Sequence, residues 1–198
     1  FSVSIVHQAG YICSMLFVIP GFPLITGGID LAKLDLRSGL ERITYAMLII
    51  IMATITGWVV ALLMHSYPAD LSEPDMNPVL RCVLRLICSF CGVYGFSFLF
   101  NSKRKMAVCA GLIGMIANTV RLELIDFTPV PAAVAAFIGA MLAGLMASAI
   151  KSHSGYPRIT LTVPSIVIMV PGMFLYKGIY YLGAYDIESG GMWLTKAF

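Results

Sequence analysis

Runs of roughly twenty apolar residues recur along this chain, and nothing else constrains its fold as strongly. An α-helix needs about 20 such residues to cross about 30 Å of hydrocarbon, and a helix satisfies all its backbone hydrogen bonds internally. The runs predict spans near residues 3–25, 43–65, 79–100, 106–125, 130–150 and 159–184, with a seventh beginning near 190. Composition supports lipid as part of the solvent. Only 12% of residues are charged and 59% are hydrophobic, whereas soluble domains carry about 25% charge. The expected fold class is therefore all-α: a polytopic integral membrane helix bundle of six spans plus the start of a seventh. A net charge of +3 is too small to suggest nucleic acid as a partner.

Polar connections separate the runs, and their charges alternate. The connections near 30–42, 101–105 and 151–158 hold Lys33, Arg37, Arg42, Lys103, Arg104, Lys105, Lys151 and Arg158. The connections near 66–78, 126–131 and 185–190 hold no Lys or Arg, but carry Asp70, Glu73, Asp75, Asp126, Asp186 and Glu188. Basic loops face the cytoplasm, so the first span is expected to run from outside to inside. The acidic, proline-rich stretch 66–78 reads as a joint between two transmembrane halves, 1–65 and 79–198. Both chain ends look cut within hydrophobic or helical sequence.

Small residues repeat every four positions in the fifth run (Ala132, Ala136, Ala140, Gly144, Ser148), with Ala135, Gly139 and Ala143 on a neighbouring strip. Ala107/Gly111 and Ala110/Gly114 do the same in the fourth. Such faces let helix backbones approach closely in lipid, which predicts a compact bundle. Cys88 and Cys91 form a C-x-x-C, but without a second pair or a nearby histidine they read as small hydrophobes. No zinc-protease, nucleophile-elbow or phosphate-loop motif occurs. No enzyme, metal or cofactor is expected.

Two short segments match at a constant offset of 151 residues: Ile19-Pro20-Gly21-Phe22-Pro23-Leu24-Ile25-Thr26-Gly27 and Val170-Pro171-Gly172-Met173-Phe174-Leu175-Tyr176-Lys177-Gly178. Each interrupts a long apolar run with Pro-Gly. Five spans separate them, an odd number, so the copies cross in opposite directions, as in an inverted-topology repeat. Proline lacks an N–H and glycine tolerates unwound backbone. Such breaks persist at membrane depth only where protein or a watery cavity covers them, and a half-helix N-terminus there suits a carboxylate.

Pro20, Gly21, Pro23, Thr26, Gly27 and Asp30 around the first break, and Pro171, Gly172 and Lys177 around the second, are candidate substrate-binding residues. Asn118 and Arg121 in the fourth run join them, because intramembrane polar residues are expensive and usually functional. The planar guanidinium of Arg121 suits a carboxylate. The plainer reading is that Arg121 pairs with Glu123 or Asp126 and reaches the outer interface. Likewise Arg81 and Arg85 are expected to pair with Asp70, Glu73 or Asp75, and His7 to be a satisfied core histidine.

Ile19-Pro20-Gly21-Phe22-Pro23-Leu24, followed by Gly28, Asp30 and Ser38-Gly39-Leu40-Glu41-Arg42, resembles the end of the first half of the threonine/serine exporter family. From Val79 onward the chain resembles that family's second half, through Gly95-Phe96-Ser97-Phe98-Leu99-Phe100-Asn101, Pro164 and the second Pro-Gly segment. Phe174 stands where the first copy has Pro23, so the two breaks need not be equally unwound. The resemblance implies a ten-span, five-plus-five inverted repeat, with spans preceding Phe1 and one following Phe198. It implies proton-driven export of threonine and serine across the inner membrane. Relatives split over two chains imply C4-dicarboxylates such as succinate as the alternative substrate. A non-transporting scaffold or sensor subunit is the alternative of another class. The partners implied are the small-molecule substrate, protons and the lipid bilayer; a homo-oligomer is left open.

Overall fold

The computed structural model describes residues 10, 13–14, 18–64, 76–154, 157–170 and 172–197. Most of the run near 3–25, His7, most of the 66–78 joint and Pro171 lie outside them. Regular structure among the described residues is entirely helical: α1 (Gly21–Ala32), α2 (Leu36–Leu63), α3 (Pro78–Leu99), α4 (Arg104–Phe127), α5 (Ala132–Ser154), α6 (Arg158–Val167), α7 (Gly172–Gly183) and α8 (Ile187–Ala197). Among them α2, α3, α4 and α5 are long and apolar enough to cross a membrane. The chain packs as two compact units: residues 1–74 with 171–198, and residues 75–170.

Several expected boundaries move. The run near 159–184 is not one helix, because α6 ends at Val167 and α7 starts at Gly172. Pro164 already removes one donor inside α6, and the following Pro-Gly supplies a single N–H for two residues. The expected loop over 30–42 is largely helical. There α1 continues through Asp30 to Ala32, and α2 starts at Leu36 under an Asp35 cap that accepts from the Ser38 N–H at 3.3 Å. The basic turn at 101–105 is found as expected, between Leu99 and Arg104.

The first unit contains two helical hairpins, α1–α2 and α7–α8, that turn in the same way. In the first, the Asp35 N–H donates to the Asp30 carbonyl (3.0 Å) and the Leu34 N–H to the Leu31 carbonyl (3.0 Å). In the second, the Asp186 N–H donates to Tyr181 (2.9 Å) and the Tyr185 N–H to Leu182 (3.1 Å). Leu34 and Tyr185 both take positive φ, 65° and 63°, which costs a residue with a Cβ about 1–2 kcal/mol. The next residue caps the following helix in each: Asp35 accepts from Ser38, and Asp186 from Ser189 at 3.0 Å. Hydrogen bonds from the Ser189 side chain and backbone hold the Asp186 carboxyl below the usual carboxylate range.

Past each turn the two helices nearly touch. A Cβ on Gly39 would lie 2.7 Å from the Leu31 side chain and 3.0 Å from the Gly27 carbonyl oxygen. A Cβ on Gly190 would lie 2.7 Å from the Leu182 side chain and 3.0 Å from the Leu182 nitrogen. Gly39→Val is therefore expected to pry the first hairpin apart, at about 1–3 kcal/mol. Exposure of a cysteine placed at Leu31 to a membrane-impermeant thiol reagent checks it; unchanged labelling would contradict the tight crossing. Elsewhere in this unit Trp58 and Tyr181 pack against buried Ala61, Tyr176 and Tyr180, seating α7 on α2.

The second unit is built around α4, which packs against α3, α5 and α6. Its inward face is small, as expected: Ala107, Ala110, Gly111, Gly114 and Ala117 are all buried. On α5 the fully buried strip is Ala135, Gly139, Ala143 and Ala147, whereas Ser148 of the neighbouring strip is exposed. Ile113, Ala117, Ala143, Ala147, Leu161 and Met169 form the core. Ser165 ties α6 to α4 by donating to the Ala110 carbonyl at 3.0 Å, a bond also shared with Leu161.

Candidate substrate site

Polar side chains in the second unit follow one line on α3. Arg81, Arg85, Ser89, Val93 and Ser97 recur every four residues, so they share a face, and Ser89, Val93 and Ser97 are its buried members. That face meets α4. Arg85, only 12% exposed, donates to Glu123 at 3.1 Å and pairs with Asp126 at 2.7 Å. Arg81 reaches Asp126 at 3.6 Å. The four charges form one network spanning the two helices. This corrects one expectation. Glu123 and Asp126 serve Arg85 and Arg81 and not Arg121. Arg81 and Arg85 find acids across the helix pair, because their shared face turns toward α4; Asp70, Glu73 and Asp75, their expected partners, lie outside the described residues.

Arg121 is consequently left without a carboxylate among the described residues. Its Nη1 donates to the Asn118 Oδ1 at 3.3 Å, and its buried Nε has no partner among the described residues. Asn118, 8% exposed, donates through Nδ2 to the Ser89 Oγ at 2.9 Å. The Arg121 side chain leaves α4 where α5 presents Gly139. A Cβ at Gly139 would lie 3.2 Å from the Arg121 Cβ, 3.1 Å from the Ala117 carbonyl oxygen and 3.2 Å from the Met169 Sδ. Glycine there leaves room for the guanidinium stem. Met169 lies two residues before the second Pro-Gly. A guanidinium carries five donors and no acceptor, so this one holds donor capacity that Asn118 does not use. Its charge and fork suit a carboxylate.

The candidates in the first unit are placed differently. Pro20 precedes α1 and Gly21 opens it. The Gly21 N–H is taken by the Ile19 carbonyl at 2.8 Å, Pro23 has none, and the Leu24 N–H goes to Pro20 at 3.3 Å. Little donor capacity is left at that helix start. The buried Thr26 hydroxyl donates to the Phe22 and Pro23 carbonyls of its own helix, at 3.0 and 3.3 Å. Gly27 packs on Ile43 and Gly39. Asp30 accepts from Ser38 at 3.2 Å and pairs with Arg42 at 3.3 Å, closing the hairpin. Gly172 is buried at the start of α7. Lys177, 7% exposed, holds its ammonium 4.4 Å from the centroid of the Trp193 ring, which Lys196 also approaches at 4.6 Å. The structure thus brings Asn118 and Arg121 together with Ser89, and places Gly27, Asp30 and Lys177 in hairpin contacts.

Residues 85–197 match the family model described as "Threonine/Serine exporter, ThrE", and residues 1–65 match the one described as "Putative threonine/serine exporter". The chain belongs to the threonine/serine exporter family. No curated protein sequence and no solved structure matches it. As a threonine/serine exporter family member with four helices long enough to span among its described residues, it is a multi-pass membrane protein of the transporter class. Among the described residues no group of His, Cys, Asp and Glu is arranged to hold a metal ion.

Ser89 did not emerge from the sequence as a site residue. A signal for it exists, since it continues the Arg81–Arg85 line one turn further. A lone serine in an apolar helix is otherwise indistinguishable from one bonding its own backbone, as Ser97 does to Val93 at 2.9 Å.

Proposed function

We propose that this chain forms part of a secondary transporter that exports threonine and serine across the inner membrane, coupled to protons, with Arg121 taking the substrate carboxylate. The observation that carries the reading is the Arg121 guanidinium, which has no carboxylate partner among the described residues. An intramembrane cation is expensive, and the two nearest acids in sequence are bound to other arginines. A transported carboxylate supplies the missing charge. Asn118 adds a polar group beside it.

The five-plus-five inverted repeat, with halves joined at 66–78 and six spans in this chain, belongs to the same proposal. Its support is the shared turn of the two hairpins at the sequence offset of the Pro-Gly segments. The halves describe order along the chain, whereas the two compact units describe packing.

Efflux of preloaded labelled threonine from proteoliposomes holding the full-length protein, with and without an imposed proton gradient, tests the function. Efflux above empty liposomes that rises with the gradient is the expected result. Movement of succinate in place of threonine would change the substrate and keep the Arg121 anchor. If neither moves, the transport reading falls and a scaffold or sensor subunit takes its place.

A further inference from the structure

We propose that Ser89 is a positioning residue for the transport site: it anchors the Asn118 side-chain amide, whose oxygen faces Arg121. The inference rests on the reading of Arg121 as the carboxylate anchor.

The direction of the hydrogen bonds carries it. Arginine only donates, so the group meeting its Nη1 must accept. A primary amide presents an oxygen at one end and an NH₂ at the other, and rotation by half a turn exchanges them. With the oxygen toward Arg121 at 3.3 Å, the NH₂ lies toward α3 and needs an acceptor in a buried place. Ser89, 6% exposed, supplies one at 2.9 Å. If the amide turned over, its NH₂ would confront the guanidinium and its oxygen would face Ser89, so donor would meet donor at the charged end. Arg121 therefore selects the amide orientation, and Ser89, whose hydroxyl can donate or accept, anchors the amide from the opposite side. The packing around the chain leaves it little freedom. On α4, Gly114, one turn before Asn118, lies close enough to α3 that a Cβ there would come 2.5 Å from the Val93 side chain. Helices held at that separation keep the serine and the amide within reach.

The consequence falls on the guanidinium. Asn118 is the acceptor that orients the Arg121 fork, so loosening Asn118 lets the fork swing and weakens its grip on a carboxylate. Loss of one such neutral bond is expected to raise the half-saturation concentration for threonine about two- to tenfold, with the maximal rate retained.

The experiment is threonine counterflow in proteoliposomes holding the full-length protein, with Ser89→Ala, Asn118→Ala, the double variant and Arg121→Gln, each corrected for protein in the membrane. Ser89→Ala is expected to raise half-saturation, and to add nothing once Asn118 is alanine, because Ser89 acts through that amide. Ser89→Cys keeps the volume and weakens the acceptor, so it is expected to shift half-saturation in the same direction. It serves should the alanine variant fail to reach the membrane. Unchanged half-saturation in the Ser89 variants, with transport lost in Arg121→Gln, would overturn the role of Ser89 alone. A Ser89→Ala effect that persists undiminished on Asn118→Ala would overturn it too, since the serine would then act through packing. Wild-type counterflow in Arg121→Gln would remove the anchor itself.

Discussion

Arg121→Gln is expected to lower threonine efflux about 10- to 100-fold while leaving the protein folded in the membrane. Hydrogen bonds to a charged group contribute about 1.5–3 kcal/mol, which corresponds to that range of affinity. The stability half of the expectation follows from what Arg121 lacks. Among the described residues it has no acid partner, so its removal strands no carboxylate, and an unpaired intramembrane charge is itself a burden. Glutamine keeps a donor for the Asn118 oxygen. Arg121→Lys is expected to fall between, since lysine keeps the charge and loses the planar fork. Efflux normalised to membrane protein, with thermal unfolding in detergent alongside, checks both halves. Loss of folding together with transport would show that Arg121 holds the bundle and not the substrate.

Arg85→Met is expected to show the reverse pattern, with stability lost first. Arg85 holds Glu123 at 3.1 Å and Asp126 at 2.7 Å. Among the described residues, removing it leaves two carboxylates at one helix interface, with Arg81 at 3.6 Å from Asp126. Breaking a fully buried pair costs about 3–5 kcal/mol because the stranded charge is uncompensated; this partly exposed network is expected to cost less, about 1–3 kcal/mol. Adding Glu123→Gln to Arg85→Met is expected to restore part of the loss, since it removes one of the two stranded charges. The measurement is thermal unfolding of the single and double variants. A double variant no more stable than Arg85→Met would mean that the network does not hold α3 to α4.

These two arginines also show where sequence reasoning reached and where it stopped. The long helices α2 to α5 were legible, because twenty-residue apolar runs and the Asn101–Lys105 turn leave little choice. The charge pairing was not. Arg85 and Glu123 lie 38 residues apart, and their meeting depends on which face of α3 turns toward α4, which periodicity alone leaves open. For Arg121 the acids nearest in sequence were the wrong guide. The stretch 30–42 reads as a polar connection between runs, yet most of it is helical. Its turn places a leucine, Leu34, where glycine would advertise the left-handed backbone. The small-residue pattern on α5 was visible, yet two adjacent strips carried it. Only the packing singles out the strip of Ala135 and Gly139, on which Arg121 leans.

The first unit is assembled from the two ends of the chain, residues 1–74 and 171–198, while residues 75–170 pack among themselves. A ribosome delivers its product from the N-terminus onward, so this arrangement imposes a timetable. The α3–α6 body can assemble while α7 is still unmade, but α2 must wait through all of it before the surface that α7 covers is closed. Until then the flank carrying Trp58 and Ala61 faces lipid or whatever insertion factor attends it. A nascent chain stopped before residue 171 would hold one finished body and one unfinished one. Quality-control proteases that act on incomplete membrane proteins would have that flank to recognise.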